Sequence, residues 1–120
     1  MNIAGLDHVV LRVRDLDCMI AFYRDVLGCQ LERGPDASGL AQLRAGSALI
    51  DLVPSDADDH GSNLDHFCVQ VVPWDAAAIA AHLTAHGVTP GDVTERYGAT
   101  GFGPSIYFAD PEGNVVELKG

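Results

Sequence analysis

The sequence predicts an α+β fold of two tandem β-α-β-β-β modules, at about residues 5–54 and 63–120, joined by a linker at 55–62. Three observations predict it. Gly5-Leu6-Asp7-His8-Val9-Val10-Leu11-Arg12-Val13 returns as Asn63-Leu64-Asp65-His66-Phe67-Cys68-Val69-Gln70-Val71, and an internal repeat marks duplicated structural units. After each copy the apolar residues pass from strand-like to helical spacing. Each half then ends in short β-branched runs punctuated by glycine, proline and aspartate. At 120 residues the two modules together make a single domain large enough to bury a core without disulfide staples.

The elements follow in order. Val9 to Val13 is short, β-branched and bounded by turn formers, and reads as a strand. Asp15 can cap a helix in which Leu16, Met19, Ile20, Phe22, Tyr23, Val26 and Leu27 share one side, and Gly28 supplies its left-handed stop. Cys29 to Glu32 continues as a strand. Leu40 to Arg44 and Ala48 to Val53 flank Ala45-Gly46-Ser47, a hairpin signal. Pro54 to Asn63, with Asp56, Asp58, Asp59 and His60, is polar and aperiodic, as a solvated linker should be.

The second half repeats the order: a strand from Phe67 to Val72, then a helix from Ala76 to His86, capped by Asp75 and stopped by Gly87. Trp74 is read as stapling the helix start. Val88-Thr89 is expected to begin a strand, and Thr94 to Gly103 to be a long glycine-containing loop. Pro104 to Ala109 and Asn114 to Leu118 then pair around Asp110-Pro111-Glu112-Gly113, a proline–glycine turn.

Charge and cysteine usage narrow the function. Seven Lys+Arg against seventeen Asp+Glu give a formal charge of −10, which repels nucleic acid and anionic membranes and suits a small-molecule or cationic partner. No apolar run approaches the roughly 18 residues of a membrane span, and Met1-Asn2-Ile3-Ala4 opens no export signal. Cys18, Cys29 and Cys68, odd in number and without CxxC spacing, read as small buried reduced thiols. A cytoplasmic location is expected.

Strand alternation places His8, Val10 and Arg12 on one face and Val9, Leu11 and Val13 on the other. The apolar set should meet the helix, which turns His8 and Arg12 to the opposite side. The same reasoning groups His66, Cys68 and Gln70. Asp51, between Ile50 and Leu52, and Glu117, between Val116 and Leu118, are carboxylates set in apolar strands. Buried acids need partners, and one divalent cation held by His8, Asp51, His66 and Glu117 supplies them, leaving positions for water or substrate. This nitrogen–oxygen set suits Zn, Ni, Mn, Fe or Co without choosing among them. Asp51 is its weakest member because of its short reach.

Secondary candidates are Arg12 and Gln70, placed to meet a substrate's polar end. Tyr97, Thr100, Phe102 and Ser105 lie on or beside a loop that could close over ligand. His82 and His86 lie four apart on a helix without a third ligand and are read as exposed.

Leu6-Asp7-His8, Ala21-Phe22-Tyr23 with Val26-Leu27-Gly28, Leu64-Asp65-His66 and Asp110-Pro111-Glu112-Gly113-Asn114-Val115-Val116-Glu117-Leu118 stand in the order of a known family. Across nearly its whole length the chain resembles the vicinal oxygen chelate superfamily, which includes glyoxalase I, bleomycin-resistance proteins, fosfomycin-resistance enzymes and extradiol dioxygenases. The resemblance implies paired modules forming a curved, incompletely closed mixed sheet around a divalent metal. It also implies that His8, His66 and Glu117 occupy ligand positions, with Asp51 standing where glyoxalase I carries a longer glutamate.

The implied chemistry is lyase or isomerase proton transfer through a metal-stabilised enediolate, with Glu117 as first choice of base and Asp51 second. A homodimer is expected, because the family's modules pair within a chain or exchange between chains. Fosfomycin transfer is disfavoured by Val10, where a threonine is typical, and by the acidic charge. The main alternative is a metal-free, bleomycin-resistance-like binding protein, and a small extradiol-type dioxygenase ranks third.

Overall fold

A computed structural model describes Leu6, residues 8–55, Leu64, residues 66–98 and residues 101–120. Asp7, Asp65, Thr100 and most of the linker, including Asp58, Asp59 and His60, lie outside the described residues. The chain divides into two compact units, Met1–Asn63 and Leu64–Gly120.

In the first unit β1 (His8–Val13), α1 (Leu16–Asp25), β2 (Gln30–Arg33), β3 (Ala41–Ala45) and β4 (Ala48–Pro54) realise the expected order. The sheet runs β1-β4-β3-β2, with β1 parallel to β4 and the other pairs antiparallel. Asp15 caps α1 by accepting from the Cys18 amide at 3.0 Å, which satisfies one of the helix's orphan donors. Past its end Gly28 adopts φ +71. The buried sheet face carries Leu11, Val13, Ala41, Leu43, Ile50 and Leu52, and α1 buries Met19, Ile20, Phe22 and Tyr23. Each such large side chain withdrawn from water contributes about 1.5–3 kcal/mol. That face fixes the other one, since alternation leaves His8, Val10, Arg12, Gln42 and Asp51 on the reverse side.

The second unit contains β5 (His66–Gln70), α2 (Ala76–Ala85), β6 (Thr94–Gly98), β7 (Gly101–Ala109) and β8 (Val115–Lys119). Its sheet order, β5-β8-β7-β6, repeats the first, again with one parallel pair. Asp75 caps α2 through the Ala78 amide at 3.0 Å. Phe67, Ile106, Phe108, Val116 and Leu118 form its buried apolar face. Asp110 fixes the turn into β8 by accepting from the amides of Glu112 and Asn114 and from the Asn114 side chain.

One stretch departs from the sequence reading. No strand forms at Val88-Thr89, and the expected loop from Thr94 to Gly103 is instead β6 and the start of β7, paired from Thr94↔Ser105 to Gly98↔Gly101. Pro90 lacks the amide a ladder needs, and the Gly91 amide is taken by the Tyr107 carbonyl at 2.7 Å. Thr94-Glu95-Arg96-Tyr97 has the alternation and β-propensity to pair in its place. The lid expected around Tyr97, Phe102 and Ser105 is therefore part of the sheet.

Candidate functional site

In the second module the functional side chains project from three adjacent strands. His66 pairs with Val115 and Cys68 with Glu117, and Tyr107 faces Glu117 from the other side of β8. Residues in register share a face, so His66, Cys68, Glu117 and Tyr107 form one cluster. Glu117, set between apolar neighbours that fill the core, is 6 % exposed, and His66 Nε2 lies 3.6 Å from its Oε2. Cys68 and Tyr107 are the register partners of Glu117 on its two sides. His66 and Tyr107 meet edge to face at 5.4 Å.

These contacts shift the neutral donors. Partial burial first, then the charge of Glu117 and the bond to it, push the Cys68 thiol up to about 11, while Lys119 opposes the shift. The Tyr107 phenol is raised by desolvation and then by Glu117, against the pull of Arg96. Both groups therefore stay protonated at neutral pH.

In the first module Asp51 is 7 % exposed and stands between Val10 and Gln42 in register. Gln42 Nε2 donates to both Asp51 oxygens, at 3.1 and 3.0 Å. His8, opposite Leu49, is on the same face and exposed. Arg12, opposite Val53, is exposed there too.

The donor set can be tested against a metal. With bonds of about 2.0–2.2 Å, nitrogen and oxygen ligands of a tetrahedral ion lie about 3.4 Å apart. The 3.6 Å between His66 and Glu117 fits two neighbouring ligands. Asp51 keeps lone pairs beyond those used by Gln42, so its carboxylate can ligate directly or act from behind another ligand. Among the described residues, however, no group of three or more His, Cys, Asp and Glu is gathered tightly enough to hold an ion. Within its own module Asp51 is partnered by Gln42, and Glu117 has His66, Cys68 and Tyr107 as neighbours.

The secondary candidates separate. Ser105 is 0 % exposed, and its hydroxyl accepts from Arg96 Nη1 at 2.7 Å, making it an internal brace. Gln70 is exposed opposite Lys119. Phe102 is 77 % exposed, but alternation along β7 puts it on the side of Ile106 and Phe108, away from Ser105 and Tyr107. The His82 and His86 rings have centres 4.4 Å apart and planes tilted by 45°, and His86 Nδ1 lies 2.9 Å from the His82 carbonyl. Trp74 packs against the Gly120 backbone. Of the cysteines only Cys29 is buried; Cys18 and Cys68 are exposed.

Sequence reasoning missed Tyr107, Gln42 and the role of Cys68. For Cys68 the signal was present in its spacing of two from His66. Gln42 and Tyr107 are identified only by cross-strand register.

Comparison with known proteins agrees with the duplicated architecture. The family model described as Glyoxalase/Bleomycin resistance protein/Dioxygenase superfamily matches residues 5–118. A virulence protein of Salmonella typhimurium is 28% identical over 124 residues, covering 99% of this chain and 85% of its own. Glutathione transferase FosA of Serratia marcescens is 28% identical over 118 residues, covering 95% of this chain and 79% of its own. The crystal structure of lactoylglutathione lyase from Agrobacterium tumefaciens superimposes with a TM-score of 0.71 at 25% identity, covering 99% of this chain and 95% of that one.

Proposed function

The chain belongs to the glyoxalase/bleomycin resistance protein/dioxygenase superfamily, and we propose that it is a divalent-metal-dependent enzyme performing glyoxalase I-like proton transfer on a small oxygenated substrate. The observation that carries this reading is the 3.6 Å pairing of His66 Nε2 with the buried Glu117 carboxylate, a ligand-to-ligand spacing on neighbouring strands. His66 and Glu117 are the ligands of the second module, His8 that of the first, and Asp51 a ligand or a base behind one. When bound, the metal supplies Lewis-acid stabilisation of charge developing on substrate oxygens.

The chain's own residues then handle the proton. Glu117 takes it from a carbon beside a carbonyl and returns it to the neighbouring carbon, an isomerisation that consumes no oxidant or other reactant. A positioned carboxylate of this kind contributes about 10²–10⁴ in rate. Tyr107 and Cys68 flank Glu117 in register, and Asp51, oriented by Gln42, is the second base. Arg44 is committed to Glu32 by a two-pronged contact at 2.6 and 2.9 Å, so Arg12 and Gln70 are the candidates for contacts with the substrate's far end.

The reading extends to assembly and location. We take the two modules as one functional domain that works as a homodimer, with the four candidate ligands coming from one protomer or shared by two. Three free cysteines suit a reducing cytoplasm, and among the described residues no helix is long and apolar enough to cross a membrane.

The test is calorimetric titration of Mn²⁺ and Zn²⁺ into protein purified without chelator. Wild type should bind one ion per site, and folded His66→Ala should lose at least tenfold in affinity. Unchanged binding in His66→Ala sinks the proposal. The metal-free binding-protein reading is favoured by one observation, the closed pairing of Asp51 with Gln42. It predicts no bound metal even after incubation.

A further inference from the structure

The chain holds five histidines. His8 and His66 belong to the candidate site and His60 lies outside the described residues, which leaves His82 in the last turn of α2 and His86 at its cap. Both are exposed, while Leu83 turns inward and is buried. Residues four apart on an α-helix stand one above the other on one face, and two histidines at that spacing are the metal-holding pair of helical zinc sites.

His86 is fixed by His82. Its Nδ1 lies 2.9 Å from the His82 carbonyl, and because a carbonyl oxygen only accepts, Nδ1 carries the hydrogen and donates. In the neutral ring Nε2 then keeps its lone pair. The His86 amide donates to the same carbonyl at 3.2 Å, so one oxygen holds both backbone and ring. A ring N–H given to a backbone carbonyl is the support that orients metal-ligating imidazoles.

The distance between the rings selects among metals. A metal–nitrogen bond of about 2.0–2.1 Å puts the ion about 3.2 Å from each ring centre, so centres lie about 4.5 Å apart for ligands at right angles and about 5.2 Å for tetrahedral ones. The observed separation is 4.4 Å, with the planes tilted by 45°. Right-angle neighbours belong to square-planar and octahedral ions, and with imidazole donors these are Cu²⁺ and Ni²⁺. The setting also draws cations: the pair closes the C-terminal end of a ten-residue helix, where the backbone dipole is negative, on a chain of charge −10.

We propose that His82 and His86 form a separate metal site, a two-imidazole chelate for one Cu²⁺ or Ni²⁺ ion whose remaining positions are filled by water. His86 ligates through Nε2. The site stands on α2, apart from the strands that carry His66 and Glu117, and does not depend on the metal-enzyme reading.

Ni²⁺ is the probe, since Cu²⁺ would oxidise the exposed thiols of Cys18 and Cys68. It is titrated calorimetrically into the full chain as wild type, His82→Ala, His86→Ala, and His82→Ala combined with Ala81→His. The last keeps five histidines but sets the pair five apart, about 140° round the helix. Wild type should take up one Ni²⁺ more than either single variant, at least tenfold more tightly than the lone histidine left behind, because the second imidazole binds intramolecularly. The displaced pair should not restore that ion. Nuclear magnetic resonance locates it: the His82 and His86 imidazole signals should broaden as it is added.

Equal Ni²⁺ uptake and affinity in wild type and His82→Ala, full binding by the displaced pair, or wild-type imidazole signals that do not respond, overturns the proposal. All three substituted positions are exposed; should a variant still not fold, the wild-type spectra decide. Mn²⁺, which prefers oxygen ligands, should bind His82→Ala as it binds wild type, and a changed affinity would show that the pair is not a separate site. Failure of Mn²⁺ to bind wild type, with Ni²⁺ held by the pair, would refute the metal-enzyme reading and leave the chelate standing.

Discussion

Replacing Gln42 by leucine should destabilise the protein through Asp51. The Gln42 amide is within 3.1 and 3.0 Å of the two Asp51 oxygens, and that carboxylate is 7 % exposed. Leucine fills similar volume and donates nothing, so a charged group stays buried without this donor. A hydrogen bond to a charged group is worth about 1.5–3 kcal/mol, and stranding one partner costs at least as much. Taking about 2 kcal/mol, the melting temperature should fall by roughly 6–10 °C in a chain of this length.

A thermodynamic cycle separates this from lost packing. Unfolding is followed by circular dichroism in wild type, Gln42→Leu, Asp51→Leu and the double variant, with chelator present. The double variant should be more stable than the sum of the single effects implies, with coupling of at least about 1 kcal/mol. Gln42→Glu, which sets a second carboxylate against the first, should cost more than Gln42→Leu. Additive single effects, or a Gln42→Leu melting within about 2 °C of wild type, would refute the view that Gln42 compensates Asp51.

Three further outcomes follow from named contacts. Cys68, pushed up to about 11 by partial burial and Glu117, is almost wholly protonated at pH 8. Its alkylation by iodoacetamide should be slow there despite exposure, rise as pH climbs toward 11, and speed up at pH 8 in Glu117→Gln; mass spectrometry of labelled peptides reads each rate, and equal rates with and without Glu117 contradict the coupling. Asp110→Ala removes the acceptor of three N–H donors and should lower stability by about 2–4 kcal/mol, with amide exchange quickening at Glu112 and Asn114 before the core. Gly103→Ala brings a Cβ to 2.6 Å from the Gly120 carbonyl oxygen, an overpacking expected to cost about 1–3 kcal/mol in chemical denaturation; a neutral result would show that this backbone yields.

The legible part of the fold was what local chemistry determines. Asp15 and Asp75 announce helix starts, and Gly28 and Gly87 their ends. The β-branched runs carry an alternation that assigns Asp51 and Glu117 to the face opposite the core. The region after Pro90 was illegible because its strand is short and polar on one side, so pairing with β7 rather than intrinsic pattern makes it a strand. Within the site, alternation could say that His66, Cys68 and Gln70 share a face. It could not say that Tyr107 lies beside Glu117, because cross-strand neighbours depend on register across β7 and β8. Phe102 shows the same limit: read as loop, it had no parity, and once in β7 its parity places it on the far side from Ser105.

The central claim is that His66 and Glu117 hold a divalent ion. Anomalous diffraction at the metal edge, on crystals of the full chain grown with Mn²⁺ or Zn²⁺, tests it most directly. The account predicts one stoichiometric peak about 2.0–2.2 Å from both the His66 imidazole nitrogen and a Glu117 oxygen. A peak liganded by neither residue, or none at metal concentrations well above those of the crystals' protein, would contradict it.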